Sequence, residues 1–278
     1  MAAQKKQLDF ENLRARLKVK NLAAQKRIAA HPAFKLISSG ALAGSLLLSV
    51  PSALPVPSHL LAPVKESDYY ANVNIELAAS LREVLPAYVQ PLTITQEEEI
   101  SKRIKKVLGI DAVAILENNH LNQTYGNIGA EQHLPRYPGD TAAAHGEFVD
   151  RGITPGRGGW GYVTSPEVEK YYIAVQTLYL PDWKTNTKRL SGWYKFRRTV
   201  VINPVNGKAI VTAIADAGPS WWTGKHFGGS PEVMAYLKLN TGMQKGPVLV
   251  FFLEDSQNLL PLGPVEYNVN NKKYEALL

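Results

Sequence analysis

The sequence predicts an α+β chain: an N-terminal apolar anchor, a small α/β unit and a mostly-β C-terminal domain. Three observations carry this. A basic leader precedes an uncharged apolar run, residues 74 to 109 show helical periodicity, and Thr199 to Ala217 reads as strand, turn and strand ending on Asp216. With 278 residues, 45% hydrophobic and 20% charged, the chain has ordinary globular composition, so disorder is not the starting assumption.

The formal charge of +7 invites a nucleic-acid partner, but nine Lys and Arg against two acids fall within residues 1 to 36, leaving 22 against 22 beyond them. The basic excess therefore belongs to the leader, and no nucleic-acid partner is expected. From Leu36 to Val64 there is no Asp, Glu, Lys or Arg, and the clearest apolar stretch, Leu36 to Val50, is about 15 residues long. A positive segment before such a stretch points to a signal or anchor with the N-terminus inside, and so to an extracytoplasmic, envelope location. A buried helix is the alternative reading of the same run. Zero cysteines exclude disulfides, thiolate catalysis and Cys-ligated metals. The divisions expected are a cytoplasmic leader over 1–35, the anchor with its proline-containing linker over 36–65, the α/β unit over 66–130, the β domain with its loops over 131–266, and a tail over 267–278.

Within 66–130, Ile75, Leu77, Ala78, Leu81 and Leu85 share one side of a helix that Pro86 stops. Thr95-Gln-Glu-Glu98 reads as a capping box opening a second helix that ends at Gly109, and Ala112 to Leu116 as a strand. Farther on, Ser165-Pro-Glu-Val and Ser230-Pro-Glu-Val each combine an N-cap Ser, Pro at the first helical position and Glu in the first turn. A strand follows each, Ile173–Val175 and Pro247–Leu253. Asn206-Gly207 between two β-branched runs predicts a hairpin with a primed turn, positive φ falling on both residues. By the period of two, Ile210, Thr212, Ile214 and Asp216 share a face, so Asp216 continues a mostly apolar stripe and is a candidate proton donor with a raised pKa. The same Asp-x-Gly-Pro run also reads as an ordinary Asx turn.

The run Val201 to Pro219, followed by Ser230-Pro-x-x-Met-x-x-Leu237, Gly242 and the strand Val248 to Leu253, resembles the six-stranded double-psi β-barrel of rare lipoprotein A and the expansins. The resemblance covers roughly 170 to 255. It implies that Asp216 is the catalytic or glycan-gripping carboxylate, by analogy also with membrane-bound lytic transglycosylase A, which has such a barrel and one essential aspartate. In that chemistry one acid protonates the leaving oxygen and then deprotonates the sugar's own hydroxyl as an anhydro ring closes, with no metal and no cofactor. The sequence departs from the family pattern at Ala217, where Arg is usual, at Gln176, where His is usual, and at Gly228, where Asp is usual.

All five tryptophans fall between 160 and 222. Indole faces stack on sugar rings, so Trp221, Trp222 and Trp160 are candidate substrate contacts beside Lys225, His226 and Gln176, while at least two of the five tryptophans are expected to be structural. The function expected is that of an envelope-associated protein acting on peptidoglycan or another surface glycan, by transglycosylase-like cleavage or by expansin-like binding alone. Metal hydrolysis competes with both. Glu131, His133, Asp140, His145, Glu147 and Asp150 concentrate His and acids in one stretch, but without a standard ligand spacing such as His-Glu-x-x-His.

Overall fold

The computed structural model describes residues 66–265. The expected leader, anchor and tail lie outside these residues. Among the described residues no helix is long and apolar enough to cross a membrane. Two helices open the fold, α1 (Glu66–Arg82) and α2 (Ile94–Leu108). Short strands β1 (Ala112–Val113), β2 (Ile115–Leu116) and β3 (Asn119–His120) follow, then β4 (Tyr125–Ala130), α3 (Pro166–Lys170), β5 (Tyr172–Val175) and α4 (Trp183–Tyr194). The chain continues with β6 (Arg198–Ile202), β7 (Ala209–Ala217), β8 (Phe227–Gly229), α5 (Pro231–Tyr236), β9 (Lys245–Leu253) and β10 (Gly263–Pro264).

Six of the strands close on themselves. β4 pairs with β8 in parallel and β8 with β5 antiparallel; β5 then runs parallel to β7, while β7 with β6, β6 with β9 and β9 with β4 are antiparallel. The result is a mixed six-stranded barrel, in which closure leaves no free edge along the ring. Both faces of its long strands are apolar because both are covered. Ile128, Ile173, Val201, Ile210, Ile214, Phe227, Val248 and Phe252 come from all six strands and fill the interior. Val200, Ile202, Val211, Leu249 and Phe251 point the other way and meet Leu77, Leu81, Ile100, Ile104 and Val107 of the two helices. Residues 66–130 thus share a core with the barrel, and the ring already includes β4, upstream of residue 131.

Several local expectations shift. α1 begins earlier than the periodicity indicated, and Ile75 is 66% exposed whereas Leu77, Ala78 and Leu81 are buried. The capping box of α2 is Thr93 with Gln96, because Thr93 Oγ1 accepts from Gln96 N–H while the Gln96 side chain accepts from Thr93 N–H. Gly109 does end α2 in the left-handed conformation. The strand expected over Ala112–Leu116 is two: β1 joins β9, and β2 forms a separate hairpin with β3. Ser165 and Ser230 cap their helices as expected, accepting from Val168 N–H and Val233 N–H.

The β6–β7 hairpin is present, but not with a primed two-residue turn. Ile202 pairs with Ala209, Gly207 N–H donates to Asn203 O at 2.8 Å, and of the two expected residues only Gly207 has positive φ, +73°. Pro204, with its φ held near −65°, suits a helical first step, and the Asn203 and Asn206 side chains accept from Val205 and Lys208 N–H. A four-residue loop satisfies more backbone than the tighter turn could.

α2 also carries a buried acid. Glu97 is 4% exposed and accepts from Thr124 Oγ1 at 2.5 Å, with His120 Nε2 at 3.0 Å from both its oxygens. The Glu97 hydrogen bond raises the His120 pKa, and burial opposes it. A group raised on folding stabilises fully below its unfolded pKa of about 6.5, and that contribution is lost as pH rises through the folded pKa. Thermal melts in EDTA should therefore show His120→Gln converging on the unaltered chain above this window and falling behind it below. Parallel Tm-versus-pH curves would contradict the linkage.

Candidate functional site

Asp216 reaches the barrel rim through an irregularity in β7. Ile173 pairs with Ile214 but Ala174 pairs with Asp216, so Ala215 is an extra residue in the ladder. Such a bulge re-aims the next side chain, and the face shared by Ile210 and Ile214 does not simply continue to Asp216. A loop from outside the barrel then fixes the carboxylate. Gly159 N–H donates to Asp216 Oδ1 at 2.5 Å and Ala217 N–H to the same oxygen at 2.8 Å. Among the described residues both of these bonds go to Oδ1 and none to Oδ2. A Cβ on Gly159 would stand 2.8 Å from Asp216 Oδ1 and 3.1 Å from Ala217 N, so the approach needs glycine there.

Asp216 lines a cleft of about 330 Å³ with Glu131, Ala174, Leu178, Tyr179, Lys225 and the segment Ala217 to Ser220, whose Gly218–Pro219 bond is cis. Glu131 brings a second carboxylate. It follows the last residue of β4, donates its N–H to Gly229 O at 2.9 Å, and lies over Gly228 in the parallel neighbour β8. A Cβ at 228 would meet Glu131 Cγ and Oε1 at 2.4 Å. The space a side chain at 228 would need is thus filled from the adjacent strand. Burial raises the Glu131 pKa; Lys225 opposes this and the Asp216 charge adds to it. Lys225 reaches across the cleft, its Nζ donating to Ala130 O at 3.2 Å.

The other expected site residues divide. Trp221 and Trp222 are 69% and 71% exposed and meet edge to face at 6.1 Å; they lie in sequence between the cleft-lining residues Ser220 and Thr223 but do not themselves line the cleft. Gln176 Nε2 donates to Pro219 O and Lys225 O, so it ties the cleft loop together from behind. His226 Nδ1 accepts from Asn127 N–H; the ring joins a strand, and burial lowers its pKa. Trp160 packs 6.1 Å from Trp183 and both join the interior cluster with Trp193, so three of the five tryptophans pack structurally. Sequence reasoning missed Tyr179, a 41% exposed ring on the cleft wall, and could not place Glu131 there. Of the His and acids between 131 and 150, Glu131 alone lines this cleft; Glu147 and Asp150 are exposed, and His133, Asp140 and His145 fold into a separate buried group.

The chain matches no protein-family model and no curated protein. The chemistry of the cleft is accordingly read from its own residues. A carboxyl with a raised pKa beside a second carboxylate pinned by backbone amides can divide proton donation from proton acceptance. The cation of Lys225 offers a contact for an anionic or hydroxyl-rich ligand, and the partly exposed Tyr179 ring stands on the wall.

Proposed function

We propose that the mixed barrel is of the double-psi type and that the protein is an envelope-associated enzyme that cleaves a glycan strand, peptidoglycan first among the substrates. The observation that carries this reading is the pairing of Glu131 and Asp216 in one cleft. Glu131, favoured in its protonated form by burial, delivers its proton to the glycosidic oxygen as that bond breaks. Asp216, held through Oδ1, stabilises the positive charge developing on the sugar and takes the proton of the attacking hydroxyl. If that hydroxyl belongs to the same sugar, an anhydro ring closes and no water is consumed. Trp221, Trp222 and Tyr179 serve as ring platforms.

The second reading is an expansin-like module that grips glycan without cutting it. Gln176 favours it, being bonded into the loop where the family's histidine is expected.

Purified sacculi incubated with the full-length protein or with Asp216→Asn, followed by mass spectrometry of released and retained material, separate these readings. The expected result is anhydro-muropeptides from the unaltered chain and at least a 100-fold lower yield from the variant, as general acid–base groups contribute about 10²- to 10⁴-fold. Equal release by both would remove Asp216 from the mechanism. Pull-down without release would favour the binding module, and neither would leave glycan without support.

A further inference from the structure

Outside the cleft, two histidines and an acid face one another in the protein interior. The side chains of His133 and His145 are 0% exposed and that of Glu169, on α3, is 4% exposed. Their potential ligand atoms lie within 4.8 Å of one another. Each ring's remote nitrogen is already committed. His133 Nε2 sits 3.3 Å from Phe148 O, which can only accept, so the hydrogen is on Nε2. His145 Nε2 sits 3.0 Å from Asp140 Oδ2, an oxygen that also accepts from a backbone N–H. In the neutral rings both Nδ1 atoms are therefore lone pairs, and both are turned on Glu169: His133 Nδ1 is 2.9 Å from Oε1 and His145 Nδ1 is 2.8 Å from Oε2.

Lone pairs facing lone pairs need positive charge between them. One added proton would satisfy only the His133 contact, which has hydrogen-bond geometry; a second would make two imidazolium rings with centroids 4.8 Å apart, each disfavouring the other in a buried site. Moreover His145 Nδ1 has no hydrogen-bond partner despite the short contact, so its direction is not that of an N–H bond to Glu169. One divalent cation satisfies all of these atoms at once. We propose that His133 Nδ1, His145 Nδ1 and the Glu169 carboxylate bind a first-row divalent transition cation, with Zn²⁺ the first choice.

The surroundings fit that assignment. Metal-bound histidines usually donate their other N–H to a carboxylate or a backbone carbonyl, the roles that Asp140 and Phe148 fill. Glu232 on α5 is 7% exposed, has Oε2 buried without a partner, and stands close enough for the charges of His133 and Glu169 to act on it. It is a neighbouring acid outside the three mutually close ligand groups. Tetrahedral ligands roughly 2.0–2.1 Å from zinc are about 3.4 Å apart, so the present contacts open by about 0.5 Å on loading. Because the three ligand side chains are buried, the cation is structural: it ties the loop after β4 to α3, and so steadies the strand end that precedes Glu131.

The test uses the untagged full-length chain, stripped with EDTA, dialysed and titrated with ZnCl₂ alone. One equivalent is expected to bind and to raise Tm by several degrees, and Co²⁺ in its place is expected to show the visible bands of a tetrahedral site. Glu169→Gln and His145→Asn are each expected to weaken uptake by at least about 10-fold, whereas Asp216→Asn leaves it unchanged. Asp140→Asn, outside the ligand set, serves should those two not fold, and is expected to retain one equivalent at about 10-fold lower affinity. Absence of stoichiometric uptake by the unaltered chain, or uptake indifferent to Glu169, His145 and Asp140, overturns the site.

Discussion

Glu131→Gln is expected to slow the release of anhydro-muropeptides from sacculi by about 10²- to 10⁴-fold while leaving sacculus pull-down within a few-fold of the unaltered chain. The amide keeps the size and position of the side chain over Gly228 but has no acidic proton to deliver. Its consequence for Asp216 also differs from a truncation, since no void opens in the cleft. A second variant checks position instead of chemistry. Gly228→Ala introduces a Cβ into the place now held by Glu131 Cγ and Oε1, at 2.4 Å, so it should displace the acid and lower the rate with the carboxyl intact. If Glu131→Gln cleaves at the normal rate, the proton comes from elsewhere and the single-acid mechanism through Asp216 returns. If it loses pull-down together with cleavage, Glu131 is a binding contact.

The largest effect on stability is expected at the hairpin, where Gly207→Ala should cost roughly 3–5 kcal/mol and lower Tm by about 10 °C. Two penalties combine. The residue sits at φ +73°, a conformation that costs an L side chain about 1–2 kcal/mol. Its Cβ would also lie 1.8 Å from Asn74 O and 2.6 Å from Asn74 C. Those are backbone atoms of α1, so no rotamer change relieves the clash and the helix must move off the β6–β7 turn. Gly109→Ala is the matched control: φ is +69° and nothing lies within 4 Å of the new atom, so only the conformational part, about 1 kcal/mol, should appear. Comparable losses in the two variants would mean that the α1 contact contributes nothing.

Local signals were legible wherever a residue's role is set by its immediate neighbours. The two Ser-Pro helix starts and the Gly109 C-cap follow from capping chemistry, and each stands where it was expected. The capping box lies two residues earlier than expected and the hairpin loop is two residues longer. Thr93 and Thr95 both begin plausible boxes, and Asn206-Gly207 hides a longer loop made favourable by Pro204. Asp216 as a rim acid was readable from its Gly-Pro corner. The separation of exposed Trp221 and Trp222 from the packed Trp160, Trp183 and Trp193 was not, because indole size alone does not tell core from surface.

By itself, then, the sequence determined the basic excess of residues 1–36, the two opening helices, the two Ser-Pro helix starts and one acid at the end of a strand. What only the tertiary structure decided depends on which strands run side by side. Parallel pairing of β4 with β8 lays Glu131 over Gly228, 97 residues downstream, and the bulge against β5 turns Asp216 toward the same cleft. The burial of His133 and His145 around Glu169 is of the same kind, since the three residues come from a loop and a helix with no ligand spacing between them. Parallel partners are joined by long crossovers, so no local periodicity records which residues become neighbours.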